Sequence, residues 1–396
     1  MSNKNAKSMK ILYHHRVASK DGQYVHIEEI VNALRKLGHN VHIVAPKMTE
    51  QSSFGSNGGL VSKLKNHLPQ MLYESIEYSY SFWAFFKMLW SIWKFKPDVI
   101  YERYNLFFTG GIWAAKLCKV PLLLEVNSPL YEERIDYGGL SLRRLARWSE
   151  YYAWRNADVV LPVTQVLAEF IYVAGVPKDR IEVIPNGVDE ARFNPSLYSQ
   201  RLPKLKNKCV VGFVGFCREW HHLDKVMRSL ASLDRQDIVF LLVGDGPVLP
   251  RLNKLADELG FTEQFISTGL VSRDKMPYWL SQIDIALQPA VTPWASPLKL
   301  LEYLAMGKAI LADDSPNIKE LLTDEHNALL FQSGNLEDMV DKLIRMISSP
   351  ALVDKLSKSA SQTIERRSLQ WIGNAQVIEN LAEERVLKRG QFDASQ

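Results

Sequence analysis

The chain has 396 residues, of which 46% are hydrophobic and 23% are charged, and its formal net charge is +4. This composition excludes an intrinsically disordered chain, and the mild charge without a dense lysine and arginine run argues against nucleic-acid binding. The length exceeds the size at which a single hydrophobic core keeps growing, so we expect two domains with a cleft between them.

The cysteines and the N-terminal residues bear on cellular location. Cys118, Cys209 and Cys217 lie in or beside apolar runs and form no CxxC pair, which is typical of a reducing compartment. Residues 1–9 are polar and contain lysine, and they lack the apolar core and cleavage site of a signal peptide. We therefore expect a cytoplasmic protein.

The first half of the chain alternates short apolar runs with segments of helical periodicity. It begins with a predicted strand at residues 10–13, a polar loop around Gly22, a helix over residues 26–37 and a strand over residues 41–45. Further strands are predicted at residues 99–101, 122–126, 159–163 and 181–184. Such alternation indicates a parallel, doubly wound sheet.

A second alternating series follows a segment rich in turn-forming residues. Residues 185–203 lack a hydrophobic period and predict a linker. The strands after it are predicted at residues 210–214, 239–243, 265–266, 285–287 and 309–312, with helices over residues 223–233, 249–259 and 299–306. We expect an α/β protein with two Rossmann-like domains, at residues 1–190 and 208–365. Residues 191–207 form the linker, and the helical tail at residues 366–396 covers the second domain or crosses back to the first.

The most specific motif comes before and inside the helix predicted at residues 299–306. Ser296 and Pro297 favour a helix start, with serine as the cap and proline at the first helical position. The free amides and the dipole of that first turn favour a diphosphate, and Lys299 adds a positive charge. Glu302 shares a helix face with Lys299 and can accept hydrogen bonds from a ribose diol. An ordinary capped helix with a surface Lys-Glu pair is the alternative.

This motif resembles the donor-site motif of the retaining family 4 glycosyltransferases, which have the GT-B fold of two Rossmann-like domains facing each other across a cleft. Glu302 matches the second of the family's two glutamates, and Trp294 stands where the first one occurs, so it either stacks on a sugar or packs. The resemblance implies donor contacts from Ser296, Pro297, Leu298 and Glu302. It also implies transfer of a hexosyl unit from a nucleoside diphosphate sugar, UDP- or GDP-linked, to a glycan or lipid-linked acceptor in cell-surface or exopolysaccharide synthesis.

A second motif follows the strand predicted at residues 210–214. In the family an arginine and a lysine grip the donor diphosphate here, and Phe216 and His221 occupy roughly those positions in this chain. Arg218 lies between them and can contact phosphate through two hydrogen bonds. His221 can donate a hydrogen bond or, when protonated, supply a full charge. The alternative is a solvated surface loop.

Three further positions resemble family features. Gly22 lies in a loop similar to the family's N-terminal glycine loop beneath the donor phosphates, although a simple turn explains it equally well. Asn127 follows a strand where many members have a histidine near the sugar, and an asparagine cannot act as a base. This fits a retaining mechanism in which the departing phosphate takes the proton of the acceptor. We interpret the turn at Gly244 as scaffold with a nucleoside contact.

The chain contains no Asp-x-Asp pair, Walker A pattern or GxGxxG pattern, so we predict no metal site and no cofactor beyond the sugar nucleotide. Arg218, Lys299 and His221 would then balance the charge of the leaving diphosphate. Other possibilities on the same fold are a sugar-nucleotide epimerase, a phosphorylase, or a catalytically idle subunit that binds a nucleotide or a glycan.

An aromatic and basic stretch precedes the strand at residues 99–101. Residues 61–97 include five lysines, among them Lys63 and Lys65, against two glutamates, a local excess of 5 − 2 = +3. The aromatic residues in it include Tyr78, Tyr80, Phe82, Trp83, Phe85, Phe86, Trp90 and Trp93. The commoner interpretation of such a stripe is a core helix. The alternative is a helix lying on an anionic membrane, peripheral at the inner face of the plasma membrane.

Overall fold

The structure is a computed structural model that describes residues 8–17, 22–46 and 68–394. It divides the chain into two compact units. The first unit combines Met1–Asn186 with Trp371–Gln396, and the second is Gly187–Gln370.

The first unit is built on a parallel sheet. Its strands are β1 (Lys10–His14), β2 (Asn40–Val44), β3 (Val99–Arg103), β4 (Leu122–Val126) and β5 (Val159–Pro162). They lie in the order β2-β1-β3-β4-β5. Strands β3, β4 and β5 are buried along their whole length, as expected for parallel strands covered on both faces. The strand order reverses between β1 and β3, so ligands are expected beyond the carboxyl ends of these strands.

The second unit is built on a longer parallel sheet. Its strands are β6 (Cys209–Val214), β7 (Ile238–Val243), β8 (Phe265–Ser267), β9 (Ile285–Gln288), β10 (Ala309–Asp313) and β11 (Leu329–Phe331). Starting from β8, the order is β8-β7-β6-β9-β10-β11. This is the 3-2-1-4-5-6 order of a dinucleotide-binding sheet, and its reversal point lies between β6 and β9. Both units are therefore Rossmann-like, as predicted, although β11 was not expected.

Helices connect these strands, and their bounds follow in chain order. They are α1 (Gly22–Lys36), α2 (Gln70–Phe95), α3 (Gly110–Cys118), α4 (Leu130–Tyr137), α5 (Arg143–Asn156), α6 (Gln165–Val173), α7 (Leu223–Ser232), α8 (Leu249–Glu258), α9 (Met276–Ser281), α10 (Leu298–Ala305), α11 (Pro316–Lys319), α12 (Leu336–Ser348), α13 (Pro350–Arg366) and α14 (Trp371–Ala394).

The segment expected to be a linker packs on the second unit instead. Phe193 and Leu205 are buried in its hydrophobic core. The guanidinium of Arg201 donates two hydrogen bonds to the carboxylate of Asp284, at 2.9 and 2.6 Å. The linker prediction rested on the missing hydrophobic period. Buried residues that are isolated in the sequence, such as Phe193 and Leu205, produce no hydrophobic period.

The last two helices of the described chain belong to different units. Helix α13 packs on the core of the second unit through Ala360 and Ile364. Helix α14 belongs to the first unit, where the Asn374 amide donates to the Pro185 carbonyl at 2.7 Å and the Trp371 ring lies 5.1 Å from the His26 ring. From Trp371 onward the tail therefore clusters with the first unit.

Two local predictions need correction. Helix α1 begins at Gly22 and not at residue 26, and residues 18–21 lie outside the described residues. Residues 181–184 form no strand. Ile181 makes a single bridge to Val160, and the amides of Glu182 and Ile184 bond to β5. Pro185 follows this segment, and a proline removes the donor that a longer ladder needs.

Helix α2 packs on the first unit through its small residues. Its buried side includes Ser81, Ala84 and Ser91. The approach of α3 is close, since a Cβ atom on Gly110 would lie 2.4 Å from the Ser81 carbonyl oxygen. Tyr78, Tyr80 and Phe85 are half-buried, whereas the other five aromatic side chains of the stripe lie on the opposite side and are exposed, Trp93 by 75%. The expected burial of the aromatic stripe is therefore wrong for these five residues. Lys63 and Lys65 lie outside the described residues.

Candidate active site

The loops after β6 and β9 meet at the reversal point of the second sheet, and these loops carry the two predicted motifs. The side chain of Lys299, in the first turn of α10, connects them. Its ammonium nitrogen lies 4.2 Å from the centre of the Phe213 ring on β6. The same nitrogen lies 3.6 Å from the position that a Cβ atom on Gly215 would occupy. The structure thus brings Lys299 to the loop that contains Phe216 and Arg218.

Lys299 has an unusual environment for a lysine. Burial lowers the pKa of its ammonium group from 10.5 to about 8, and the negative charge of Glu302 partly opposes this shift. The group is still mainly protonated at neutral pH. A partly desolvated cation interacts more strongly with an anionic ligand than a solvated one does.

The start of α10 differs in detail from the prediction. Helix α10 begins at Leu298, so Pro297 takes the cap position and Ser296 precedes it. The first helical hydrogen bond runs from the Leu300 amide to the Pro297 carbonyl, at 3.1 Å. The amides of Leu298 and Lys299 come before it. These are the amides that can bind an anion at a helix N-terminus.

A tight backbone contact shapes the loop after β6. Gly215 and Gly244 have φ values of 124° and 137°, a region that favours glycine. A Cβ atom on Gly244 would lie 2.2 Å from the Gly215 carbonyl oxygen, and one on Gly246 would lie 2.1 Å from the Cys217 carbonyl oxygen. Gly244 therefore supports the loop by close backbone approach, in agreement with its interpretation as scaffold.

Arg218 and His221 have different surroundings. Arg218 is exposed, and its guanidinium lies 5.0 Å from the Phe216 ring and 5.1 Å from the Trp220 ring. His221 is buried, and its Nδ1 accepts a hydrogen bond from the Arg218 amide at 3.1 Å. Burial and the charges of Lys299 and Arg218 lower the pKa of His221 to about 3. The imidazole is therefore neutral, with its proton on Nε2. These contacts favour the hydrogen-bonding role over the charged one.

Glu302 has a partner that the sequence motif did not indicate. The Arg273 guanidinium lies 3.7 Å from the Glu302 carboxylate, and the two side chains are only 25% and 12% exposed. Arg273 follows β8 in the loop after Val271, at the carboxyl edge of the sheet. The position of Arg273 after a predicted strand could have suggested a site residue. Its pairing with Glu302, 29 positions later (302 − 273 = 29), could not be predicted from the sequence.

Trp294 packs inside the second unit. It is 7% exposed, so little of its ring is available to a sugar. The Asn317 amide holds the surrounding loop by donating to the carbonyls of Thr292 and Ala295, at 3.1 and 2.8 Å. Of the two roles considered for Trp294, the structure supports packing.

On the first unit, Asn127 belongs to a buried polar cluster around Glu125. The Asn127 amide, the Tyr101 hydroxyl and the Arg103 guanidinium all donate to the Glu125 carboxylate. His26 Nε2 lies 2.9 Å from the same carboxylate. Burial alone would raise the pKa of Glu125. The charges of His26 and Arg103, with the hydrogen bonds from His26 and Asn127, outweigh it and hold the pKa well below its usual range.

No role is predicted for Glu125 from the sequence. A single carboxylate inside an apolar strand was the available signal, because a buried charge needs partners. The partners come from β3 and α1, which only the fold brings together. In the described part of the chain, no group of three or more His, Cys, Asp or Glu side chains could hold a metal ion.

Two Rossmann-like units, with a cationic loop and a helix N-terminus at the reversal point of the second sheet, define a GT-B type of protein. The family model for Glycosyltransferase Family 4 matches residues 20–192, and that for Glycosyl transferases group 1 matches residues 196–363. The chain therefore belongs to the family 4 glycosyltransferases of the GT-B fold, and the predicted resemblance is confirmed.

Individual relatives are distant. An uncharacterized glycosyltransferase of Methanocaldococcus jannaschii is 22% identical, covering 88% of this chain and 91% of the relative. Alpha-monoglucosyldiacylglycerol synthase of Streptococcus pneumoniae is 23% identical, covering 72% and 68%. The solved structure of Anabaena HepE in complex with UDP superposes with a TM-score of 0.69 at 18% identity, covering 95% of this chain and all of the other. At this identity the superposition shows the fold alone.

Proposed function

We propose that this glycosyltransferase moves a hexosyl unit from a nucleoside diphosphate sugar, UDP- or GDP-linked, to a glycan or lipid-linked acceptor with retention of configuration. The observation that carries the proposal is the position of the Lys299 ammonium beside the Gly215 backbone and at the start of α10. Backbone amides and a partly desolvated cation together suit a diphosphate.

In this proposal each cationic or polar group has one task. Lys299 and Arg218 stabilise the negative charge that grows on the leaving diphosphate, and the neutral His221 donates a hydrogen bond through Nε2. Ser296, Pro297 and Leu298 bind the donor at the start of α10. Arg273 orients Glu302 for two hydrogen bonds from the ribose diol. Gly244 keeps the loop after β6 in place, and a nucleoside contact there stays a prediction.

On the first unit, we propose that Gly22 allows the donor phosphates to approach the start of α1 and that Asn127 contacts the transferred sugar. Glu125 holds Asn127 through the amide group, which leaves the Asn127 oxygen to accept a hydrogen bond. Asn127 cannot remove a proton. The departing phosphate oxygen would therefore take the proton of the acceptor hydroxyl, while the new glycosidic bond forms on the face from which the phosphate leaves.

The proposed place of action is the cytoplasm, where sugar nucleotides are available to cell-surface polysaccharide or glycolipid synthesis. The three cysteines are all free, which agrees with a reducing compartment. Similarity to a glycolipid synthase supports a lipid-linked acceptor without choosing one.

The test is donor turnover followed by NMR, with and without EDTA. We expect transfer that continues in EDTA and forms a product with the donor's anomeric configuration, since Arg218 and Lys299 supply the positive charge that a metal would supply. Loss of activity in EDTA that Mg²⁺ or Mn²⁺ restores would contradict metal independence. An inverted product would contradict the front-face mechanism.

A further inference from the structure

Helix α2 carries an apolar face that the protein leaves exposed. The side chains of Phe82, Trp83, Phe86, Trp90 and Trp93 are 50%, 56%, 66%, 57% and 75% exposed. We call this set the aromatic face. The spacing of 4, 4 and 3 residues from Phe82 to Trp93 places these side chains along one side of the helix.

The aromatic face is large for a soluble protein. Half of one aromatic side chain is on the order of 100 Å², so five of them expose on the order of 500 Å². This value is at the upper end of the largest apolar patches found on monomers, which mark interaction sites. Leu117 of α3 is 67% exposed. Trp113, one turn before Leu117, packs its ring 5.4 Å from Phe82 and so places α3 beside the aromatic face.

The acidic residues of α2 lie on the side that packs on the first unit, away from the aromatic face. Glu74 is buried and accepts hydrogen bonds from the amides of Ser141 and Leu142, at 2.9 and 2.6 Å. Glu77 accepts two hydrogen bonds from Arg134, at 2.8 and 2.6 Å. Both carboxylates are therefore already paired within the first unit.

The lysines of the same helix lie beside the aromatic face. The ammonium nitrogen of Lys87 is 5.3 Å from the Trp83 ring, and that of Lys94 is 5.0 Å from the Trp90 ring. Residues 82–95 contain no Asp or Glu. An exposed stripe of tryptophan and phenylalanine bordered by lysine complements the apolar boundary and the anionic headgroups of a lipid bilayer.

We propose that the aromatic face of α2 docks this enzyme on an anionic membrane surface, with the indole rings at the level of the lipid headgroups. Among the described residues no helix is long and apolar enough to cross a membrane. The contact is therefore one in which α2, 26 residues and about 39 Å long, lies along the surface. This goes beyond the transfer reaction, and it does not depend on the donor site.

The test is cosedimentation of the full chain with vesicles of phosphatidylcholine, with or without phosphatidylglycerol. We expect binding to the anionic vesicles that weakens with salt. The triple variant Phe86→Ser, Trp90→Ser, Trp93→Ser should bind at least ~100-fold more weakly, because three partly inserted rings are removed. Lys94→Gln should weaken binding about fivefold.

A matched control is Val173→Ser with Leu387→Ser, two apolar residues of the same unit that are 78% and 66% exposed. This control should bind like the wild type. Binding of the triple variant at wild-type strength, or no binding of the wild type to anionic vesicles, would overturn the proposal. So would a wild-type dimer that ignores vesicles and becomes monomeric in the triple variant, because the aromatic face would then join two copies.

Quenching of wild-type tryptophan fluorescence by brominated lipids gives a second measurement that needs no variant. We expect quenching in anionic vesicles, and unquenched fluorescence would contradict insertion.

The nucleotide-induced thermal shift of each variant separates the two proposals. A variant that loses vesicle binding but keeps the nucleotide-induced shift is impaired in the aromatic face alone. A variant that loses the nucleotide-induced shift is impaired in the donor site.

Discussion

The ammonium group of Lys299 lies over the ring of Phe213, 4.2 Å from its centre, so a cation of α10 is held against β6, the strand that precedes the loop with Phe216 and Arg218. The contact fixes the direction of a long, flexible side chain, and a fixed charge would need no reorganisation during the diphosphate departure that we propose.

Replacing Lys299 with alanine should therefore lower kcat about 100-fold, the loss typical of one preorganised transition-state contact. Steady-state kinetics at saturating donor measure this. Lys254→Ala is the control, because the Lys254 side chain is 79% exposed on the same unit. Wild-type kcat in Lys299→Ala would show that the contact with Phe213 is only structural.

The activity should fall in alkaline solution. Burial lowers the pKa of Lys299 to about 8, so the ammonium charge is present below that pH and is lost as the pH rises through it. We expect kcat/KM, which reports the free enzyme, to decrease about tenfold per pH unit above about pH 8. Lys299→Arg stays charged and should remove this decrease. A decrease that persists in Lys299→Arg would assign it to another group.

Arg218 should matter for turnover more than for stability, because it is exposed and its guanidinium lies over two aromatic rings, those of Phe216 and Trp220. Arg218→Ala should lower kcat about tenfold to 100-fold with little change in Tm. Arg345, whose side chain is 50% exposed and pairs with Glu325, provides a control in Arg345→Ala. Equal kcat values in Arg218→Ala and Arg345→Ala would show that Arg218 has no role in turnover.

Arg273 and Glu302 should act as one unit. Glu302→Ala and Arg273→Ala should each raise the donor KM about tenfold while kcat changes less, since the ribose contact is made in the ground state as well. The double variant should be no worse than Glu302→Ala, because Arg273 acts through the carboxylate. Additive losses in this double-mutant cycle would show that Arg273 has an independent role.

Gly244 should be far less tolerant of substitution than a comparable glycine. A Cβ atom there would lie 2.2 Å from the Gly215 carbonyl oxygen, so Gly244→Ala should lower the free energy of unfolding by about 2–4 kcal/mol. Gly260 also has a positive φ, of 64°, but open space around it, so Gly260→Ala should cost about 1 kcal/mol. Urea unfolding compares the two. Equal losses would contradict the close-contact account.

Local patterns explain which features could be predicted. Strands such as residues 239–243 are continuous apolar runs, and the motif from Ser296 to Glu302 is contiguous, so both are visible in the sequence. The pairs Arg201–Asp284 and Arg273–Glu302 join residues far apart in the chain, and no local pattern announces them.

Helix α2 shows a different limit. Its sequence reveals an apolar stripe but not which side the protein buries. The side is decided by Gly110, whose missing Cβ lets α3 approach Ser81 and so selects the small face for packing.

The proposed function requires that the second unit binds a nucleoside diphosphate at Lys299 and the start of α10. Thermal unfolding of wild type and Lys299→Ala, with and without UDP and GDP, tests it most directly. A ligand at 100 times its Kd stabilises a native protein by about 2.7 kcal/mol, so we expect a clear rise in the Tm of the wild type with at least one nucleotide. The rise should be much smaller in Lys299→Ala at the same concentration. An equal rise in both proteins, or none in the wild type with either nucleotide, would contradict the account.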